Sequence, residues 1–204
     1  MINNIIFDWS GVINDSVKSH VGVVNKIFKH FGAPEITLEE LKENWEQPYM
    51  RFFNKYLPDL TIEEEQPVYI KAVAECPQSE SYPGMVDLLK EFKKGGIKMV
   101  VLSSDLPITL LPEMQRFGLE DIFIDTIISA YDKSEGIGKL IERNNFKKEE
   151  TIFIGDSNHE IEEGKRAGTK TGAVTWGFST EERLKALNPD YIIRNLDDLK
   201  SIIS

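Results

Sequence analysis

Ile5-Ile6-Phe7-Asp8-Trp9-Ser10-Gly11 is a short apolar run that breaks off at an aspartate and a polar, glycine-containing loop. Consecutive apolar side chains suit a strand covered on both faces, and the polar tip marks where the cover ends. The arrangement returns twice. Ile97-Lys98-Met99-Val100-Val101-Leu102 stops at Ser103-Ser104-Asp105, and Thr151-Ile152-Phe153-Ile154 stops at Gly155-Asp156-Ser157. Residues 125–128, 171–175 and 191–193 are further candidate strands. Helical patterns lie between them: Met85, Leu88, Leu89 and Phe92 share one face of a helix closed by Gly95-Gly96. Ile137, Leu140 and Ile141 mark another helix, and residues 161–167 a third, ending at Gly168. Strands alternating with helices of this length predict an α/β fold, a Rossmann-like parallel sheet with right-handed crossovers and helices on both faces. Open sheets of this kind bind ligands at the carboxyl ends of their strands, so Asp8, Ser103 and Asp156 are expected to converge.

Residues 15–81 break the alternation. Val17, Val21, Val24, Phe28 and Phe31 have helical spacing and are followed by Gly32. Leu38, Leu41 and Trp45 form a second amphipathic stretch, and Tyr49, Phe52, Phe53 and Tyr56 a third. Thr61-x-x-Glu64 is a capping-box pattern for a fourth helix, which Pro67 complicates. The expected organisation is an α/β core of residues 1–14 and 82–204 with an all-helical cap of residues 15–81. A cap at the mouth of the site would exclude water and touch substrate. Trp45, Phe52 and Phe53 are expected in its core, while Trp9 has no decided direction.

The formal net charge of −10 argues against nucleic acid as a partner, because phosphate backbones recruit basic faces. The charges are interspersed and suit solvated helix faces. Cys76 is the single cysteine, so no internal disulfide forms and a reducing, cytoplasmic setting is expected. The first residues carry neither a basic leader nor a long apolar span, so neither a signal peptide nor a membrane anchor is expected. His20, His30 and His159 show no metal-ligand pairing and are expected at the surface.

Phe7-Asp8-Trp9-Ser10-Gly11-Val12 resembles the first motif of the haloacid dehalogenase superfamily, in which an apolar strand ends in Asp-x-Asp-Gly-Thr. Ser103 matches the second motif and Lys133, within Tyr131-Asp132-Lys133-Ser134, the third. Gly155-Asp156-Ser157-Asn158-His159-Glu160 is similar to the fourth, Gly-Asp-x-x-x-Asp. Four motifs in order cover nearly the whole chain, and residues 174–178 and 189–193 look like the phosphoglycolate phosphatase branch. The resemblance implies a Mg²⁺-dependent hydrolase acting on a small phosphorylated metabolite, as a monomer or homodimer. It assigns Asp8 as the nucleophile that forms an aspartyl-phosphate. Asp8, Asp156 and the Ser10 backbone carbonyl would hold Mg²⁺, with Glu160 supporting the metal site. Ser103, with Ser104 as a competing choice, and Lys133 would hold the phosphoryl oxygens, and Lys133 would also restrain the nucleophile.

Three positions depart from the pattern. Ser10 stands where the family carries a second aspartate, the general acid and base, and a hydroxyl is too weak an acid to replace it. Val12 replaces a threonine, and Glu160 replaces an aspartate on a longer arm. The expected outcome is a phosphatase with slowed turnover. Three alternatives stand beside it. A non-catalytic phosphate- or Mg²⁺-binding module would keep the scaffold alone. A phosphonoacetaldehyde hydrolase-like enzyme would need a cap lysine, for which Lys42 and Lys55 are the nearest candidates. A dehalogenase would also lack the second aspartate, but it would not need Gly155-Asp156.

Overall fold

A computed structural model describes residues 1–130 and 133–203. Tyr131 and Asp132, the first half of the third motif, lie outside the described residues. Six parallel strands form one sheet: β1 (Asn4–Phe7), β2 (Lys98–Leu102), β3 (Asp125–Ile127), β4 (Thr151–Gly155), β5 (Lys170–Val174) and β6 (Tyr191–Ile193). Their order is β3-β2-β1-β4-β5-β6. The chain leaves central β1 toward one edge and later returns to its other side. The carboxyl ends of β1, β2 and β4 therefore meet at the switch in strand order. Phe7 is level with Val101 on β2 and Ile154 on β4, which brings Asp8 beside both neighbouring strand tips.

Period-two alternation divides the apolar strand residues between two cores. Ile5, Phe7, Met99, Val101, Ile152 and Ile154 face one side, beneath α5 (Met85–Lys94), α6 (Pro107–Arg116) and α10 (Leu196–Ile203). Ile6, Val100, Leu102 and Phe153 face the other, beneath α7 (Lys133–Arg143). Helix α8 (Asn158–Ala167) packs beside α7, and α9 (Glu181–Ala186) covers the far end of the sheet. Helices α6, α9 and α10 had no counterpart among the sequence-predicted elements. Pro107 at the first turn of α6, with Pro112 inside it, obscures a helical pattern there.

Residues 17–75 contain helices only: α1 (Val17–Phe31), α2 (Leu38–Asn44), α3 (Met50–Tyr56) and α4 (Ile62–Glu75). They enclose their own apolar cluster, in which Val24, Ile27, Phe28, Leu41 and Phe52 are fully buried. The Thr61–Glu64 capping box forms, and α4 runs unbroken through Pro67. Proline removes one backbone donor; the carbonyl it frees belongs to Glu63, and both residues are exposed, so water satisfies it. The segments leading into and out of these helices pair with one another. The Asp15 amide donates to the Glu80 carbonyl at 2.9 Å and the Tyr82 amide to the Ile13 carbonyl at 2.8 Å. Trp45, Phe52 and Phe53 are buried as expected. Trp9 faces the core, stacked on Phe117, and its indole N–H donates to Glu113 at 2.7 Å. Among the described residues, no helix is long and apolar enough to cross a membrane.

Candidate active site

The tip of β1 delivers Asp8 into a buried cluster of charge. Its Oδ2 lies 2.8 Å from Lys133 Nζ, and its Oδ1 accepts the Trp9 amide at 2.8 Å. The Lys133 ammonium also contacts Glu160 Oε1 at 2.6 Å. Lys133 is fully buried, which lysine almost never is without a partner. The other Glu160 oxygen accepts the amide and hydroxyl of Ser157, closing the capping box at the start of α8. Asp156 completes the group, its Oδ2 accepting the Phe178 amide at 2.6 Å. One oxygen each from Asp8, Asp156 and Glu160 lies within 4.8 Å of the others.

Two glycines make this crowding possible. A side chain at Gly11, where φ is +77°, would meet Asp156 Oδ2 at 2.1 Å, and one at Gly155 would meet Glu160 Cγ at 2.0 Å. Val12 lies wholly within the apolar core, so packing steadies a loop that a hydroxyl otherwise would.

Three buried carboxylates share one ammonium, and the imbalance sets their proton affinities. Burial raises Asp8 to about 7 against the opposing pull of Lys133. Asp156 is raised well above the usual range by burial, then by the charges of Glu160 and Asp8. Burial also works to raise Glu160, but the charges of Lys133 and His159 and the bonds from Lys133 and Ser157 hold it at about 2. A hard divalent cation fits this donor set, because it would supply the missing positive charge to oxygen ligands. The Ser10 carbonyl accepts no hydrogen bond among the described residues, which leaves it open to such an ion. Both Glu160 oxygens are already engaged, so Glu160 acts on the cluster mainly through Lys133.

The tips of β1 and β2 are tied together by Asp105. Its Oδ2 accepts from Ser10 Oγ at 2.9 Å and from Ser103 Oγ at 2.8 Å. A cavity of about 170 Å³ opens over Asp8 and Asp156. Ser10, Ser104 and Asp105 line it, whereas Ser103 is almost fully buried beneath. The far wall comes from residues 17–75, through His20, Phe53, Glu65 and Tyr69 on helices and Trp45, Gln47 and Tyr49 in the segment between α2 and α3.

These positions correct the expectation for two histidines. His159 is buried on α8, and His20 stands edge-on to Trp45 and Phe178 at the cavity, where burial lowers it to about 4. Neither ring carries a sequence pattern that separates it from a solvated histidine; only packing does. His30 is exposed as expected. Asp105, Glu65, Gln47 and His20 line the site and were not among the sequence-predicted residues. Asp105 was visible as part of a strand tip, but Glu65, in the acidic first turn of α4, reads as a solvated helix start.

Glu65 nonetheless is only 2% exposed, and burial raises its carboxyl to about 7 from an ordinary 4.5. A carboxyl whose folded pKa exceeds its unfolded one stabilises the fold below pH ~4.5, and that contribution is lost as pH rises to about 7. Glu65→Gln is therefore expected to be more stable than wild type at pH 8, by about 1–2 kcal/mol, with no gain at pH 4. Denaturant titration at both values checks this, and an equal change at the two would refute it.

A family model described as haloacid dehalogenase-like hydrolase matches residues 5–174. The chain belongs to that family. The haloacid dehalogenase-like assignment agrees with comparisons along the full length. Pyrophosphatase PpaX of Halalkalibacterium halodurans is 25% identical, over 99% of this chain and 97% of that protein. The phosphoglycolate phosphatase of Synechococcus elongatus is also 25% identical, over 98% and 96%. The crystal structure of a putative haloacid dehalogenase-like hydrolase from Bacteroides fragilis superposes with a TM-score of 0.86 at 22% identity, covering 98% of this chain and all of that one, a likeness of fold.

Proposed function

We propose that this chain hydrolyses small phosphate monoesters, in the manner its phosphatase relatives' names describe, with Asp8 as the nucleophile. The observation that carries the reading is the pairing of Asp8 with Lys133 beneath the cavity and beside Asp156. Lys133 and the Trp9 amide hold the Asp8 carboxylate in one orientation, which is what in-line attack on phosphorus requires. The Asp8–phosphorus bond forms as the ester oxygen leaves, and water then releases phosphate from the aspartyl-phosphate. Mg²⁺ held by Asp8, Asp156 and the Ser10 carbonyl would screen the repulsion between carboxylate and phosphate. Ser104 at the β2 tip supplies a donor for the phosphoryl oxygens from the cavity wall, whereas the Ser103 hydroxyl and amide are committed to Asp105 and the Ile127 carbonyl. Residues 15–81 act in this reading as a cap, hinged where residues 13–15 pair with 80–82.

Ser10 lacks the acid that would protonate the leaving oxygen, so turnover is slow. The Schiff-base alternative lacks its residue: no lysine lines the cavity among the described residues, and Lys55 is tied at the surface to Glu46 at 2.9 Å. Beryllofluoride, an aspartyl-phosphate mimic, tests the main reading. With Mg²⁺ it is expected to raise the unfolding temperature of wild type and leave Asp8→Asn unmoved. Identical behaviour of the two proteins would refute Asp8 as nucleophile.

A further inference from the structure

The cavity above Asp8 is uneven in charge. Its helical wall presents aromatic faces from Trp45, Tyr49, Phe53 and Tyr69, and among them three polar groups. The Glu65 carboxylate has no hydrogen bond or ion pair among the described residues. Gln47 Oε1 and His20 Nε2 are buried without a hydrogen-bond partner among the described residues. Asp105 adds a further carboxylate from the opposite wall. Among the described residues lining the cavity, none is a lysine or arginine. The nearby cation, Lys133, is spent on Asp8 and Glu160.

An unpartnered buried carboxylate is costly and survives where a ligand compensates it. A carboxylate or second phosphoryl group at the far end of a substrate would face Glu65 and Asp105 with no counter-charge, and like charges in such a site repel strongly. A cation would meet the reverse: a carboxylate, an amide oxygen and aromatic faces, each attractive to an ammonium. We propose that the substrate's leaving group carries an aliphatic ammonium, held by Glu65 and Gln47 Oε1 within the aromatic wall. The proposal rests on the phosphate-ester reading and deepens it. It sets this chain apart from relatives whose names specify phosphoglycolate and pyrophosphate, both of which are anionic beyond the scissile phosphate.

Equilibrium binding to the Asp8→Asn protein with Mg²⁺ present tests both levels, because this variant lacks the nucleophile and does not turn over; inorganic phosphate is also titrated into wild type, since Asp8 is itself a proposed Mg²⁺ ligand. Phosphoethanolamine and phosphocholine are compared with phosphoglycolate, pyrophosphate and inorganic phosphate. The expected Kd for at least one ammonium ester is 10-fold or more below that of phosphoglycolate, and adding Glu65→Gln is expected to erase most of that ratio. Tighter binding of phosphoglycolate or pyrophosphate overturns the proposal, as does a ratio that Glu65→Gln leaves unchanged. Phosphate binding without any ammonium preference overturns the proposal alone. Absence of binding by every phosphate ligand in Asp8→Asn, together with no binding of inorganic phosphate by wild type, overturns the phosphate-ester reading with it. Denaturant titration of the Asp8→Asn/Glu65→Gln protein itself establishes that it is folded.

Discussion

Lys133→Met is expected to be about 3–5 kcal/mol less stable than wild type at pH 7.5, the cost of leaving buried charges unpaired. The reason is local. Without the ammonium, Asp8, Asp156 and Glu160 remain as three carboxylates with oxygens within 4.8 Å of one another and have lost the cation bonded to two of them. The pH dependence separates this cause from lost packing. Glu160 has a folded pKa of about 2, below its ordinary 4.5, so it contributes stability above pH ~4.5 that is lost as pH falls through 2. That contribution depends on Lys133 and is missing from the variant. The gap between the two proteins should therefore be largest at neutral pH and narrow as the carboxylates protonate. Added Mg²⁺ should restore part of the difference at pH 7.5. Phosphatase turnover should fall by about 10²–10³, the usual effect of removing one preorganised electrostatic group. Denaturant titrations at pH 4 and 7.5 decide the matter. A deficit that is constant across pH and indifferent to Mg²⁺ would assign Lys133 to packing.

Ser10→Asp is expected to raise turnover, because it restores a carboxyl where the family carries its acid and base, and such a group is worth about 10²–10⁴ in rate. Tertiary structure adds a condition that the motif does not reveal. Asp105 Oδ2 lies 2.9 Å from Ser10 Oγ, so a new carboxylate at position 10 would enter beside an existing one. Two carboxylates that close share a proton and shift each other's pKa, which blunts the gain. Ser10→Asp combined with Asp105→Asn should therefore exceed Ser10→Asp alone. Steady-state kcat on a small phosphate ester reads out both variants. No gain in either folded protein would sink the missing-acid account. A loss beyond 10-fold in Asp105→Asn by itself would place the acid role on Asp105.

Much of the candidate site was legible because its residues sit at strand tips. An apolar run such as Ile152-Phe153-Ile154 has one stable environment, a strand covered on both faces, and the carboxylate that ends it must emerge at the sheet's edge. The same logic brought Asp8 and Ser103 to one place. Lys133 was legible only through the family motif, since a lysine beside Asp132 and Ser134 looks solvated until α7 buries it. The cavity's far wall was not legible. Glu65, Gln47 and His20 are spaced along three separate segments of the helical region, and no periodicity tells which face of α1 or α4 turns toward Asp8. The order of Ser103 and Ser104 was equally hidden, because adjacent residues at a strand tip point in opposite directions, and only the register of β2 against β1 shows that Ser104 meets the cavity.

Sequence by itself determined the parallel α/β sheet, a run of helices within residues 15–81 and the convergence of Asp8, Ser103 and Asp156. Each follows from short-range regularities, apolar period and polar termini, which a single chain displays in order. Tertiary structure alone decided how charge is shared among Asp8, Lys133, Asp156 and Glu160, that Asp105 braces Ser10, and that the cavity is acidic and aromatic. Those properties depend on which groups lose their water together, and desolvation is set by the packing of distant segments.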